Sequence, residues 1–145
     1  MLASLISLAL AVAPFTLAAP ATTVTVSYDT TYDNPNLDLS TTSCSDGPNG
    51  LITKGYPTAG KVPGYPNVGG AFTVGGWNSA SCGACYKLTW NSNSIFVTAI
   101  DHTASGFNLA QKAMDKLTNG QAVQLGRISA TYEDAALSDC ASSSS

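Results

Sequence analysis

Four cysteines in a chain of 145 residues constrain the fold more than any other feature of this sequence. They are Cys44, Cys82, Cys85 and Cys140. The stretch CGAC could belong to a redox pair or to half of a zinc site. A zinc site would need further ligands, and the chain has only one histidine. A redox pair usually accompanies a thioredoxin-like βαβ pattern, which the sequence lacks. The cysteines therefore indicate two structural disulfides, and neither a metal nor a cofactor is expected.

Four cysteines allow three pairings. A bond between Cys82 and Cys85 would close a very small ring and leave the long loops unconstrained. We favour Cys44–Cys82 and Cys85–Cys140, because each bond would close a loop of tens of residues. A disulfide that closes such a loop stabilises the folded protein by on the order of 3–4 kcal/mol in the chain-entropy model. The residues alone leave the crossed pairing open.

Residues 1–21 have the layout of a secretory signal peptide. The stretch LASLISLALAVAPFTLAA (2–19) carries no charge and is mostly apolar, and Pro14 interrupts it. The run is short for a bilayer span and ends in small residues, so a membrane anchor is the less favoured alternative. We predict cleavage between Ala18 and Ala21. The mature protein would then be secreted, which agrees with structural disulfides.

Composition excludes several classes of partner for the rest of the chain. Charged residues make up 10% of the sequence, the formal net charge is −3, and Arg127 is the only arginine. No basic run favours nucleic acid, and no basic amphipathic helix favours a membrane surface. We predict one domain over residues 22–140, because no linker or repeat interrupts it. The tail ASSSS (141–145) is too polar to fold and is expected to be disordered.

Hydrophobic patterning predicts a mainly β fold with one clear helix. Strands are predicted at 23–28, 85–90 and 94–101, with NSNS as the turn of a hairpin between the last two. One or two further strands are predicted within 122–132, where Gly126 would be a bulge or kink. The segment 45–70 is rich in Gly and Pro and is expected to form an ordered loop.

The predicted helix runs from residue 109 to about residue 118. Its apolar residues recur with helical spacing, and Gly120 suits a left-handed stop. Asn108 would be the N-cap, with Gln111 completing a capping box.

The stretch AIDHTASGFNLA (99–110) holds the candidate functional residues. Asp101 ends a predicted strand, and His102 and Asn108 follow it. Asp101 could bind a ligand or could anchor the loop by accepting backbone N–H bonds. Among the aromatic residues, whose faces can pack on sugar rings, Tyr28 is the best surface candidate. Trp77, near Cys82, is expected to be structural.

Five stretches between about Val24 and Cys140 form a distinctive set: VSYDTTYD, CSDGPNGLITKGY, GGWNSASCGACYKLTW, AIDHTASGFNLAQKAMDKLTNGQA and LGRISATY. Together they resemble the cerato-platanin family of small secreted fungal proteins. The resemblance implies a six-stranded double-psi β-barrel with short helices, as in the first domain of expansins, and the disulfide pairing favoured above. It also implies an extracellular protein of the fungal cell wall that binds chitin-type oligomers of N-acetylglucosamine. Elicitation of plant defence through a plant receptor, and loosening of cellulosic material without hydrolysis, are further implied properties.

The comparison with expansins bears on catalysis. Asp101 matches an Asp at the end of an expansin strand, and Gly106-Phe107-Asn108 falls where His-Phe-Asp would stand. Glycosidases generally need two carboxyl groups, and an amide can only exchange hydrogen bonds with a sugar. The resemblance therefore implies a non-catalytic protein whose carbohydrate-binding residues are Asp101, Asn108, Tyr28, His102 and Gly106.

Two alternatives remain open at this point. One is an endoglucanase-like hydrolase, in which Asp101 would work with a carboxylate from a loop: Asp29, Asp33, Asp38 or Asp46. The other is a surface-active protein that self-assembles as hydrophobins do, although hydrophobins have eight cysteines. We expect a monomer, with self-assembly as a further property to test.

Overall fold

A closed barrel of six strands forms the centre of the molecule. The structure is a computed structural model that describes residue 4, residues 6–12 and residues 21–143. The predicted cleavage region lies outside the described residues except for Ala21. Among the described residues, no helix combines the length and hydropathy that a membrane crossing requires.

The strands follow one another around the barrel in an order different from their order in the chain. They are β1 (Thr22–Tyr28), β2 (Val68–Ala71), β3 (Cys85–Trp90), β4 (Asn93–His102), β5 (Phe107–Leu109) and β6 (Arg127–Ala135). The order around the barrel is β1-β5-β2-β4-β3-β6, and β6 pairs again with β1. The β1–β5 and β2–β4 pairs are parallel, and the other four pairs are antiparallel. The predicted six-stranded barrel is confirmed.

One continuous core fills the barrel and extends outside it. Alternate residues of the strands, such as Val26 and Leu88, point into the barrel. The long segment between β1 and β2 packs over the outside and contributes Tyr32, Leu39 and Leu51 to the same core. This segment, residues 29–67, is called the loop layer below. It contains three short 3₁₀ turns: Thr30–Asp33, Leu39–Thr41 and Ala59–Lys61.

The predicted hairpin joins β3 to β4. Asn91 and Ser92 have φ angles of +46° and +67°, as a two-residue type I′ turn requires. Trp90 and Asn93 close the turn as paired residues.

Both disulfides have the favoured pairing, Cys44–Cys82 and Cys85–Cys140. The first bond ties the loop layer to the segment before β3. The second ties the start of β3 to α3 (Leu137–Ala141), the last of three short α-helices in residues 21–143. The two halves of CGAC thus hold different parts of the chain to the barrel.

Two predictions near the C-terminus need correction. Residues Ala122–Leu125 form a short helix, α2, and Gly126 ends it with φ of +68° instead of forming a bulge in a strand. A short apolar run of this kind fits helix and strand equally well. Ala141 belongs to α3, and Ser143 donates a hydrogen bond to the Asp139 carbonyl, so the ordered chain extends further than predicted. Ser144 and Ser145 lie outside the described residues.

The longest of these helices, α1, begins later than predicted, at Gln111, and runs to Thr118. Asn108 is therefore not its N-cap but lies in β5. The cap comes from the loop layer, where the Asp33 carboxylate accepts hydrogen bonds from the amides of Gln111 (2.8 Å) and Lys112 (3.0 Å). A negative charge is stabilising at the N-terminus of a helix, where the helix dipole is positive. Because Asp33 is far from α1 in the sequence, no local pattern predicts this cap.

Candidate functional site

The Asp101 carboxylate joins the end of β4 to the loop layer. Its Oδ2 accepts a hydrogen bond from the Tyr32 hydroxyl at 2.8 Å. Its Oδ1 accepts from the backbone amides of Ser43 at 2.9 Å and His102 at 2.8 Å. The anchoring role considered from the sequence is thus present, and it does not exclude ligand contact, because Asp101 is only half-buried.

Tyr32 is a fixed donor to this carboxylate. Burial, followed by the negative charge of Asp101 and its hydrogen bond, raises the pKa of the Tyr32 hydroxyl far above its usual value of 10.0, and Asp29 adds a smaller effect. The hydroxyl therefore keeps its proton at neutral pH, and Asp101 is the acceptor.

His102 connects β4 to the segment that follows β2. Its Nδ1 lies 2.5 Å from the carbonyl oxygen of Val74. Because a carbonyl only accepts, Nδ1 carries the proton, and in the neutral ring Nε2 is the acceptor. The side chain is exposed, so this ring is accessible to a ligand.

Asn108 and Asp101 belong to one row of residues across four strands. The paired positions are Asp101 with Gly70, Gly70 with Asn108, and Asn108 with Ser27. Asp101 and Asn108 are therefore two strand spacings apart, or roughly 10 Å. The Asn108 Oδ1 accepts a hydrogen bond from the Ser27 hydroxyl at 3.1 Å.

Strand β2 separates these two residues, since Gly70 lies between them in the row. A Cβ atom added at Gly70 would lie 3.1 Å from the His102 carbonyl oxygen and 3.3 Å from the Thr103 Cβ. The end of β4 thus approaches β2 closely at this glycine.

Gly106 and Tyr28, two other predicted binding residues, are placed by the barrel. Gly106 is buried, and its carbonyl accepts a hydrogen bond from the Phe72 amide at 2.9 Å. Tyr28 pairs with Leu109 and packs partly against the core. Within residues 21–143, no hydrogen bond connects either residue to Asp101.

The four loop carboxylates considered as catalytic partners all accept hydrogen bonds from other parts of the protein. Asp29 and Asp38 each accept a backbone amide at the start of a 3₁₀ turn. Asp33 caps α1, and Asp46 accepts from the Trp77 indole. The described residues also contain no group of three His, Cys, Asp or Glu side chains that could hold a metal ion.

Trp77 differs most from its prediction as a structural residue, because 63% of it is exposed. Its Nε1 donates to Asp46 Oδ1 at 2.7 Å, and this bond, followed by backbone hydrogen bonding, lowers the Asp46 pKa. A Cβ atom added at Gly47 would lie 3.0 Å from the Trp77 ring, so the ring rests against this glycine. The indole is held in place while much of its surface faces solvent.

Two short segments connect Trp77 with Asp101 and His102. Asp46, the partner of Trp77, is three residues from Ser43, the partner of Asp101. Val74, the partner of His102, is three residues from Trp77. A three-residue segment spans at most roughly 11 Å. Trp77, Asp46, Asp101 and His102 are called the Trp77–Asp101 surface below.

The fold and these side chains define a small disulfide-bonded β-barrel protein with a polar surface centred on one exposed tryptophan. The family model for cerato-platanin matches residues 24–142, and the chain belongs to the cerato-platanin family. Members of this family are secreted fungal proteins, and the two disulfides are consistent with an extracellular location.

Individual relatives support the assignment. The chain is 63% identical over 128 residues to the heat-stable 19 kDa antigen of Coccidioides posadasii, covering 88% of each protein. It matches the crystal structure of cerato-platanin 3 from M. perniciosa with a TM-score of 0.79 and 50% identity, covering 82% of this chain and 98% of that one. The solution structure of the fungal elicitor Cerato-Platanin matches with a TM-score of 0.76 and 40% identity, covering 83% and 98%.

Proposed function

We propose that this protein is a non-catalytic protein of the fungal cell wall that binds oligomers of N-acetylglucosamine on the Trp77–Asp101 surface. The observation that carries this proposal is the exposed indole of Trp77, which Asp46 holds in place and which a short segment links to Asp101. The apolar faces of pyranose rings pack on aromatic rings, and carboxylate and imidazole groups bind hydroxyl and acetamido groups. A ring that is already held in place loses little entropy on binding. Asn108 and Ser27 continue the row of paired residues on the other side of β2.

The same geometry argues against hydrolysis. Retaining and inverting glycosidases place two carboxyl groups roughly 5–5.5 Å or roughly 6.5–9.5 Å apart around the scissile bond. Here the residue that corresponds to the second acid is the amide Asn108, and strand β2 lies between it and Asp101 in the row of paired residues. The cerato-platanin family is generally non-catalytic, which supports this part of the proposal.

Elicitor activity is a second part of the proposal. The Cerato-Platanin whose solution structure resembles this chain is described as a fungal elicitor, and the Coccidioides relative is described as an antigen. Both descriptions support a role in which a host perceives the protein, and a plant receptor is the partner that we propose for this chain. Loosening of cellulosic material would need no hydrolysis and could use the same surface.

Replacing Trp77 by alanine should weaken binding of N-acetylglucosamine oligomers by roughly tenfold, because the stacking face is lost. Asp46→Ala should weaken binding less, since the ring remains but is no longer fixed. Titration of the ¹⁵N-labelled protein, followed by amide shifts, measures both effects. Leu137→Ala is the matched control, because Leu137 is 67% exposed but lies on α3. Unchanged affinity of the Trp77 variant would contradict the proposal.

Neither the wild type nor Asn108→Asp should release reducing ends from chitin or cellulose oligomers. The substitution should not unfold the protein, because Asn108 does not cap α1 and aspartate can also accept the Ser27 hydrogen bond. It supplies a second carboxyl group, but strand β2 still separates it from Asp101, roughly 10 Å away in the row of paired residues. A reducing-sugar assay measures the outcome. Hydrolysis by the wild type that disappears in Asp101→Asn would show that the protein is an enzyme.

A further inference from the structure

A cavity of about 430 Å³ lies on another part of the molecule, between α3 and the loop layer. Its walls are mainly apolar and include Leu51, Tyr56, Val62, Pro63, Leu137 and Cys140. The volume is in the range of small-molecule sites, which are typically about 300–1,000 Å³. The Cys85–Cys140 disulfide holds α3 against the barrel, so this cavity is formed before any ligand arrives. None of its lining residues belongs to the Trp77–Asp101 surface.

Lys54 is the charged side chain of this cavity, and the other lining residues include no acid. Its Nζ donates a hydrogen bond to the Cys82 carbonyl oxygen at 3.1 Å. The neighbouring Gly83 makes room for it, since a Cβ atom there would lie 3.3 Å from Lys54 Nζ and 3.2 Å from Leu51 Cδ2. An ammonium group has three donors, so two remain for a ligand.

Three residues of the lining carry hydroxyl groups: Tyr56, Thr98 and Ser138. Thr98 is buried, and its hydroxyl lies 3.4 Å from the Pro63 carbonyl oxygen. The wall therefore offers one positioned cation, three hydroxyl groups and a large apolar area. Leu137 stands in the lining with 67% of its surface exposed, and an apolar occupant would cover part of it.

We propose that this cavity binds a carboxylic acid with a compact apolar body, such as a medium-chain fatty acid. The carboxylate would accept hydrogen bonds from Lys54, and charge-assisted bonds of this kind are stronger than neutral ones. The apolar body would pack on Val62 and Leu137, which removes apolar area from water. Charge complementarity excludes a cationic amphiphile, and the apolar lining disfavours a sugar.

Titration of the disulfide-bonded protein with decanoate, below its micelle concentration, tests this proposal. Amide shifts are expected at Lys54, Thr98 and Leu137. Lys54→Gln should weaken decanoate binding by roughly tenfold or more, because the charge-assisted bond is lost, and Lys54→Arg should largely restore it. Lys61→Gln is the matched control, since it removes an exposed lysine that does not line the cavity.

Comparison of decanoate with decanol and decylamine distinguishes recognition of the carboxylate from binding of the apolar chain. Decanol should bind more weakly than decanoate and should not respond to Lys54→Gln, and decylamine should bind more weakly still. Leu137→Asp keeps an exposed position on α3 but adds a negative charge, so it should weaken decanoate and leave binding of N-acetylglucosamine oligomers unchanged. Absence of shifts at the cavity with millimolar decanoate would overturn the proposal. Equal affinity for decanoate and decanol, or no effect of Lys54→Gln, would also overturn it.

Discussion

Replacing Gly106 by alanine should destabilise the protein by about 3–5 kcal/mol, because the new methyl group has no space. An ideal Cβ at this position would lie 1.9 Å from the carbonyl oxygen of Thr25 and 2.5 Å from its hydroxyl oxygen. Gly106 also has a φ angle of +58°, where side chains other than hydrogen add strain. The backbone cannot easily move to relieve this clash. β5 begins at the next residue and is hydrogen-bonded to β1 on one side and to β2 on the other. Urea unfolding followed by circular dichroism measures the loss.

Gly120→Ala is the control for the backbone strain alone. Gly120 has a φ angle of +86°, and an added Cβ would meet nothing within 4 Å. Its substitution should cost roughly 1 kcal/mol, which is the usual penalty for a left-handed residue other than glycine. If the two substitutions cost the same, close packing against Thr25 is not what requires glycine at position 106. The same contact explains why the histidine of the expansin pattern could not be accommodated here.

Replacing Asp101 by alanine should cost roughly 3 kcal/mol of folding free energy and abolish the response to N-acetylglucosamine oligomers. Alanine leaves the Tyr32 hydroxyl and the Ser43 amide without their acceptor, and unpaired buried donors are costly. Asp101→Asn should cost less than about 1 kcal/mol, because asparagine can accept from the backbone amides and donate to the Tyr32 oxygen. Denaturant unfolding and sugar titration separate the structural role from the binding role. Equal loss of stability in both variants would contradict the hydrogen-bond account.

Titration of the Tyr32 hydroxyl gives an independent measurement of its hydrogen bond to Asp101. Burial is the main cause of its raised pKa, and the Asp101 charge is the second, so Asp101→Asn should lower the Tyr32 pKa only part of the way towards 10.0. The folded protein binds this proton more tightly than the unfolded chain does. The resulting stability is complete below pH 10 and is lost as the pH rises above it. Ultraviolet titration measures the Tyr32 pKa, and urea unfolding at alkaline pH should show less loss of stability in the asparagine variant.

Sequence patterns predicted the parts of the fold that depend on neighbouring residues. The alternating residues of β1, the hairpin turn at Asn91-Ser92 and the apolar run of β4 are local signals. In contrast, β2 reads VGGA, and its glycines are explained by close approach, since a Cβ at Gly69 would lie 2.3 Å from the Asn108 carbonyl oxygen. β5 has only three residues, which is too short for any periodicity. The cap of α1 comes from Asp33, far away in the chain.

The candidate site shows the same limit. The sequence directed attention to Asp101 and His102, but their partners Tyr32, Ser43 and Val74 come from distant segments. Trp77 was predicted to be structural because it stands near a disulfide cysteine. Its exposure depends on how the chain packs around Asp46 and Gly47, which lie 30 or more residues earlier in the chain. The residues next to Trp77 in the sequence do not predict this packing.

The pairing of β1 with β6 also determines when the protein can fold. β1 is the first strand to leave the ribosome, and its antiparallel partner β6 is the last. The barrel therefore cannot close until almost the whole chain has been synthesised, and distant pairings of this kind form slowly. A chain that stays open during translation can be threaded through an export channel, and its cysteines meet an oxidising environment only on the far side. The connectivity that leaves the finished barrel without a free edge strand thus also delays its closure until synthesis is almost complete.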